Sequence, residues 1–142
     1  MTSKEINAII VDRYGRRDMV IGNYYFNHFE ADCLRVTDNN QLIEYEIKLS
    51  VSDFKADLKK ERYGKVKHTE IKEGRHVNRF FFVCPKDLIK VTDVPKYAGL
   101  VYVTNNTWKI VKNAPLLHKN NASESFYKTL AIKLYWRLKG VK

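Results

Sequence analysis

Cysteine is scarce in this chain. Cys33 and Cys84 are the only two. Both sit inside apolar runs, and neither has metal-ligand spacing, so they read as buried, reduced thiols of a cytosolic protein. Glycine and proline are also sparse, at six and three residues of 142, and no Pro/Gly-rich linker, low-complexity stretch or internal repeat breaks the chain. No apolar run approaches the roughly 20 residues of a membrane span. The N-terminal Met-Thr-Ser-Lys-Glu lacks an apolar signal region, which points to a cytoplasmic location and no membrane partner. The triplets Asn105-Asn106-Thr107 and Asn121-Ala122-Ser123 match a glycosylation pattern. Without a secretory signal they read as accidental.

What is present is a core and a charge. A 44% apolar, 13% aromatic composition excludes a disordered chain, and 142 residues fit one domain, 1–142. Lysine and arginine number 26 against 16 acidic residues, a net charge of +10. Such an excess favours a polyanionic partner through phosphate neutralisation.

Hydrophobic periodicity sets the order of elements. Residues 3–14 carry Ile6, Ile9 and Ile10 at helical spacing behind Ser3 as a cap. Residues 19–27, 31–37 and 41–49 read as three strands, the last two joined at Asp38-Asn39-Asn40. A helix is expected over 50–62, with Ser50 and Asp53 at capping-box spacing and Val51, Phe54 and Leu58 as its stripe. Then follow a basic loop or continuing helix over 63–68, a buried strand 79–84, and a short helix from Pro85 to Leu88. A strand over 99–104, an edge strand over 108–112 and a helix over 123–139 complete the chain. A hairpin followed by crossovers implies an α/β fold, a mixed sheet flanked by helices.

The third strand carries the chemistry. Ile43, Tyr45, Ile47 and Leu49 point one way, and Leu42, Glu44, Glu46 and Lys48 the other. If the preceding turn centres on Asn39, Asp32 lies opposite Glu46, and Lys48 shares that face. This needs a loop of odd length. A regular two-residue turn would send Asp32 to the other face. Two adjacent carboxylates repel unless a cation intervenes, and oxygen ligands suit Mg²⁺. A metal there polarises a phosphodiester and activates water, and a lysine steadies developing charge. Glu-x-Lys on a strand is also an ordinary solvated pattern.

The residues Ala31-Asp32, then Glu46-Ile47-Lys48, resemble the PD-(D/E)XK nuclease motif, with Ala31 in place of the proline. The continuation through Ser50, Asp53-Phe54 and Asp57 resembles the MmcB-like, DNA-repair-associated branch and similar small phage and bacterial proteins. Asn78–Val83 and Tyr97–Tyr102 look like that family's core strands, so the resemblance covers roughly residues 28–112. It implies a restriction-endonuclease-like fold and a metal-dependent endodeoxyribonuclease acting on DNA in repair, recombination or phage DNA processing. Its setting would be a bacterial or phage-infected cell. Asp32 and Glu46 would bind Mg²⁺ (Mn²⁺ substituting) with the carbonyl of Ile47, and Lys48 would act on the water or transition state. Glu5 is the candidate for an extra first-helix glutamate, against a solvated first-turn acid. Many nucleases that cut both strands pair as homodimers, though nothing in the sequence marks an interface.

Around this motif, Ser50 is either a cap or a phosphate contact, and Asp53 and Asp57 read as structural. Lys55, Lys59, Lys60, Arg62, Lys65 and Lys67, interrupted by Tyr63, form a basic stretch that either grips a nucleic-acid backbone or lies on a solvated face. His68 ends it as a surface histidine able to contact phosphate. The rival readings are a catalytically inactive nucleic-acid-binding module of the same fold and an accessory subunit.

Overall fold

A computed structural model describes residues 1–140. Helix α1 (Ser3–Tyr14) is capped by Thr2, whose hydroxyl accepts from the Glu5 amide at 3.1 Å, one residue ahead of the expected Ser3. Strands β1 (Met19–Phe26), β2 (Phe29–Val36) and β3 (Leu42–Ile47) form an antiparallel meander. Helix α2 (Val51–Asp57), a two-stranded hairpin β4 (Glu61–Arg62) and β5 (Lys65–Val66), and helix α3 (Lys67–Lys72) follow. Then come β6 (Arg79–Pro85), β7 (Gly99–Val103), β8 (Trp108–Lys112) and α4 (Glu124–Leu138). The main sheet is ordered β1-β2-β3-β6-β7-β8, parallel at β3/β6 and β6/β7 and antiparallel elsewhere. This is the expected α/β mixed sheet with flanking helices.

Each face of the sheet holds its own core. Ile6 and Ile10 of α1 pack on Cys33, Ile43, Tyr45, Phe81 and Val101. On the other face Phe54, Ile71 and Leu130, from α2, α3 and α4, pack on Leu34, Phe80, Phe82 and Leu100. Cys33 and Cys84 are buried and free, as expected. Among the described residues, no helix is long and apolar enough to cross a membrane.

Three local readings need correction. The helix after β3 stops at Asp57 with Leu58 as its C-cap, and Tyr63 (φ 53°) and Gly64 (φ 74°) then turn the chain through the β4–β5 hairpin. Residues Lys67 and His68, expected in a basic surface stretch, instead open α3 and are buried. No helix forms from Pro85. That residue ends β6, and Asp87 (φ 65°) breaks any helical run after it.

The β2–β3 register matters most for the site. Cys33 faces Tyr45, Leu34 faces Glu44 and Val36 faces Leu42, so the hairpin is centred on Asn39 with residues 37–41 as an odd-length loop. Thr37 closes it, its amide donating to the Gln41 carbonyl at 2.9 Å and its hydroxyl accepting from the Gln41 amide at 3.0 Å. The parity needed to bring Asp32 and Glu46 to one side is therefore present.

Candidate active site

The backbone ladder between β2 and β3 ends at Cys33–Tyr45. Beyond it β2 bends. Ala31 and Leu34 both enter the core under α2 and α4 although they are three residues apart, which breaks strand alternation at Asp32. The neighbouring strand bends at the same level, where Asn23 has φ 50°. The bend turns the Asp32 carboxylate onto β3. Its Oδ2 accepts from the Ile47 amide at 2.8 Å, standing in for a backbone carbonyl, while the Asp32 carbonyl accepts from Asn7 Nδ2 at 3.2 Å. Asp32, Glu46, Ile47 and Lys48 thus line one open cleft, together with Ser3, Asp53, Ala56, Asp57 and Lys60.

Lys48 follows the end of β3, and its amide donates to the Val83 carbonyl at 2.9 Å, which keeps it in line with the sheet. Its ammonium lies 3.6 Å from Glu46 Oε1 and 3.2 Å from Asp57 Oδ1. Asp57 is held in turn by His68, with Nε2 at 2.6 Å from Oδ2, and His68 Nδ1 lies 2.9 Å from the Tyr97 hydroxyl. Burial alone would raise the Asp57 pKa, but the His68 hydrogen bond and the Lys48 charge hold it well below the ordinary carboxylate range. Asp57 is thereby a fixed anion that orients Lys48. Burial pushes the Tyr97 phenol up to about 12, with Asp57 adding to it, so Tyr97 keeps its proton and can donate to His68.

Behind the cleft lies a second buried chain of charge. Lys67 Nζ sits 2.6 Å from Glu44 Oε2, 3.4 Å from Glu46 Oε2 and 3.2 Å from the Glu30 carbonyl. His76 Nε2 reaches Glu44 Oε1 at 2.8 Å. Glu44 and Lys67 are 0% exposed, Glu46 3%. The Glu44 end of the charged face of β3 is therefore sealed, while Glu46 and Lys48 reach the cleft.

The two glutamates part company electrostatically. Burial works against both charges. For Glu44 it is overcome by Lys67 and His76, which hold the pKa down to about 2. For Glu46 burial wins: Lys67 lowers the pKa, Glu44, Asp32 and Asp57 raise it, and it stands at about 8. Burial, chiefly, also raises the Asp32 pKa, against the Ile47 hydrogen bond and Lys48. Glu44 is a permanent structural anion, while Asp32 and Glu46 are carboxyl groups whose charged forms still lack a full counter-charge.

That deficit is what a cation would relieve. Among the described residues no three Asp, Glu, His or Cys side chains form a ready metal cage. Two carboxylates and the Ile47 carbonyl suit Mg²⁺, which keeps several of its waters. Glu5 does not line the cleft. It is an exposed first-turn residue whose carboxylate accepts from the Thr2 hydroxyl at 3.2 Å. Ser50 is the α2 cap, its hydroxyl accepting from the Asp53 amide at 3.1 Å. Lys55, Lys59 and Lys65 are exposed as expected, with Lys65 paired to Glu70 at 3.7 Å. Lys67 and His68 belong to the buried networks and offer nothing to a backbone phosphate on the surface.

Sequence reasoning missed Glu44, His76 and Tyr97, and took Asp57 as structural without its partners Lys48 and His68. A signal existed for two of these. Glu44 alternates in phase with Glu46, and Asp57 lies three residues after Phe54, on the buried face of α2.

No family model and no curated protein matches the chain. Among solved structures it is similar to a protein of unknown function from Silicibacter pomeroyi, with TM-score 0.61 and 17% identity over 88% of this chain and 82% of that one. At that identity the likeness defines the class of fold, α/β with a mixed sheet and flanking helices, and nothing finer.

Proposed function

We propose that the protein is a metal-dependent endodeoxyribonuclease of the PD-(D/E)XK type. The observation that carries this reading is the bend at Asp32, which brings Asp32, Glu46 and Lys48 into one cleft. Asp32, Glu46 and the Ile47 carbonyl would hold Mg²⁺, which when bound supplies Lewis-acid polarisation and a more acidic water. Lys48, fixed between Glu46 and Asp57, presents a positioned charge to the negative charge that develops on the phosphate. Lys60 on the rim and the exposed Lys55 and Lys59 add backbone attraction. Roles in DNA repair, recombination or phage DNA processing fit such an activity. The direct test is plasmid nicking with Mg²⁺: wild type should nick, and protein that binds plasmid without nicking it under any divalent metal would be a binding module instead.

Metal affinity should depend on pH in a defined direction. Glu46, raised to about 8, binds a proton at neutral pH that a cation must displace. Affinity should therefore rise with pH, by roughly tenfold per unit for one displaced proton, and level off above the Glu46 pKa. Calorimetric titration with Ca²⁺ at pH 6, 7, 8 and 9 measures this, and a flat profile from pH 6 to 8 would remove Glu46 as a ligand.

DNA binding should be steeply salt-dependent, given the net charge of +10. Affinity is expected to fall by orders of magnitude between roughly 50 and 200 mM salt if several phosphates are neutralised. Charge reversal at Lys59 should weaken binding regardless of base sequence, whereas affinity indifferent to salt would point to another partner.

A further inference from the structure

Two hairpin tips meet beside the cleft. The β1–β2 connection is the two-residue turn Asn27-His28, with φ 50° and 73°, between the paired Phe26 and Phe29. The β4–β5 connection is Tyr63-Gly64, with φ 53° and 74°, between the paired Arg62 and Lys65. Turns with both central residues left-handed favour Asn or Asp followed by Gly, because other side chains crowd the backbone there. Tyr63 breaks that preference. It is also 70% exposed, so the core gains little from its ring. A large aromatic held in a strained turn and presented to solvent asks for a role outside folding.

Its surroundings suggest which. The His28 and Tyr63 rings stand edge to face, with centroids 5.5 Å apart at 62°. The Arg62 guanidinium carbon lies 5.0 Å from the Tyr25 ring centre and 5.3 Å from that of Tyr63. Tyr25, His28, Arg62 and Tyr63 are all exposed. Aromatic faces interleaved with a guanidinium are what unpaired bases stack on, and every base has such a face to offer. Duplex bases are already stacked and present only their edges.

The platform is also near the rim of the cleft. Lys60 lines the cleft, and Arg62 is two residues further along the same extended segment, roughly 7 Å away. That is about one nucleotide of stretched single strand. Glu30, opposite Tyr25 across the β1–β2 pair, and Glu61 border the platform. Its attraction for phosphate is therefore modest, and stacking must supply the selectivity.

We propose that the His28/Tyr63 hairpin tips, with Arg62 and Tyr25, stack an unpaired nucleotide next to the cleft, making the substrate DNA with a single-stranded segment beside the scissile bond. This rests on the nuclease reading for its substrate but is tested by binding alone. The full chain is titrated in EDTA against a labelled single-stranded oligonucleotide, the same strand with abasic sites, and its duplex, with anisotropy as the readout. Tyr63→Asn removes the ring and suits the turn, so it folds at least as well as wild type. It should lose roughly tenfold in single-strand affinity with duplex affinity unchanged, as should the abasic strand with wild type. Tyr63→Trp should retain binding. Equal single-strand affinity for wild type and Tyr63→Asn overturns the platform, as does an equal loss on duplex, or a Tyr63-dependent dimer in sedimentation. Cleavage does not occur in EDTA, so a protein that stacks single strands but never nicks sinks the nuclease reading alone. One that nicks without any Tyr63 effect sinks the platform alone.

Discussion

Lys48→Ala is expected to lower DNA cleavage by roughly two to three powers of ten, the loss typical of removing one positioned electrostatic donor. The ammonium is nearly buried, 3.6 Å from Glu46 and 3.2 Å from Asp57, so it is held in place before any substrate arrives. DNA affinity should barely change, because Lys48 is one of 26 cationic side chains and Lys55, Lys59 and Lys60 remain on the surface. Metal affinity should stay level or rise, since a cation that competes for Glu46 has gone. Glu46→Ala differs: it should abolish cleavage and weaken the metal site together. Single-turnover cleavage at saturating Mg²⁺, with metal and DNA binding measured alongside, separates the two. Alanine at 48 also leaves Asp57 with His68 as its remaining close partner, so a modest loss of stability is expected and urea unfolding should accompany the kinetics. A Lys48→Ala protein that cleaves at the wild-type rate would make Lys48 only the ion-pair partner of Asp57.

The hairpin register was legible because it follows from local rules. Clean alternation in β3 and turn residues centred on Asn39 admit an odd-length loop, and the loop over 37–41 is one. The bend that turns Asp32 onto β3 was not legible. It coincides with left-handed backbone at Asn23, in the neighbouring strand, which no periodicity records. The basic stretch was misread for a related reason. Lys67 and His68 follow Lys59, Lys60, Arg62 and Lys65 in sequence, and a run of charge carries no mark of which members are buried. The mark was elsewhere, in Glu44. A carboxylate on a central strand requires a counter-ion, and α3 with the loop that follows it supplies one through Lys67 and His76. The Tyr63-Gly64 turn was hidden by the opposite effect, a tyrosine where the turn favours Asn or Asp.

One strand, then, carries two glutamates with different duties, and Lys67 decides which is which. At 2.6 Å from Glu44 and 3.4 Å from Glu46, its charge is committed mainly to the former. His76 adds a second donor to Glu44 and none to Glu46. Glu46 is left with the longer contacts and three acidic neighbours. The fold thus fixes one carboxylate as structure and keeps the next, two residues on, in need of a cation. Pushing paired titratable groups apart is how a site assigns separate roles to like residues.

Lys67→Met should therefore be the most damaging single change to stability. The side chain is 0% exposed, and methionine is an unbranched side chain one atom shorter that carries no charge. Removing one partner of a buried pair strands the other, at a cost of roughly 3–5 kcal/mol. Here Glu44 keeps only His76, and Glu46 loses the nearer of its two lysines. Urea unfolding at pH 7 should show the loss in the midpoint. The sign with pH follows from both partners. The Glu44 pKa is depressed from 4.5 to about 2, so its contribution is complete above pH 4.5 and fades as pH falls toward 2. The Lys67 pKa is raised above 10.5, chiefly by Glu44 and Glu46 against the opposing effect of burial, so its contribution is complete below 10.5 and fades as pH rises past it. The gap between wild type and Lys67→Met should be flat from about pH 5 to 7, widen as Glu46 ionises beside Lys67 near pH 8, and narrow in acid. Glu44→Gln combined with Lys67→Met should cost less than the two single changes added, because neither charge is then left alone. A Lys67→Met protein as stable as wild type at pH 7 would mean that the ammonium is solvated, and the Glu44 end of the charged face of β3 would be open to water after all.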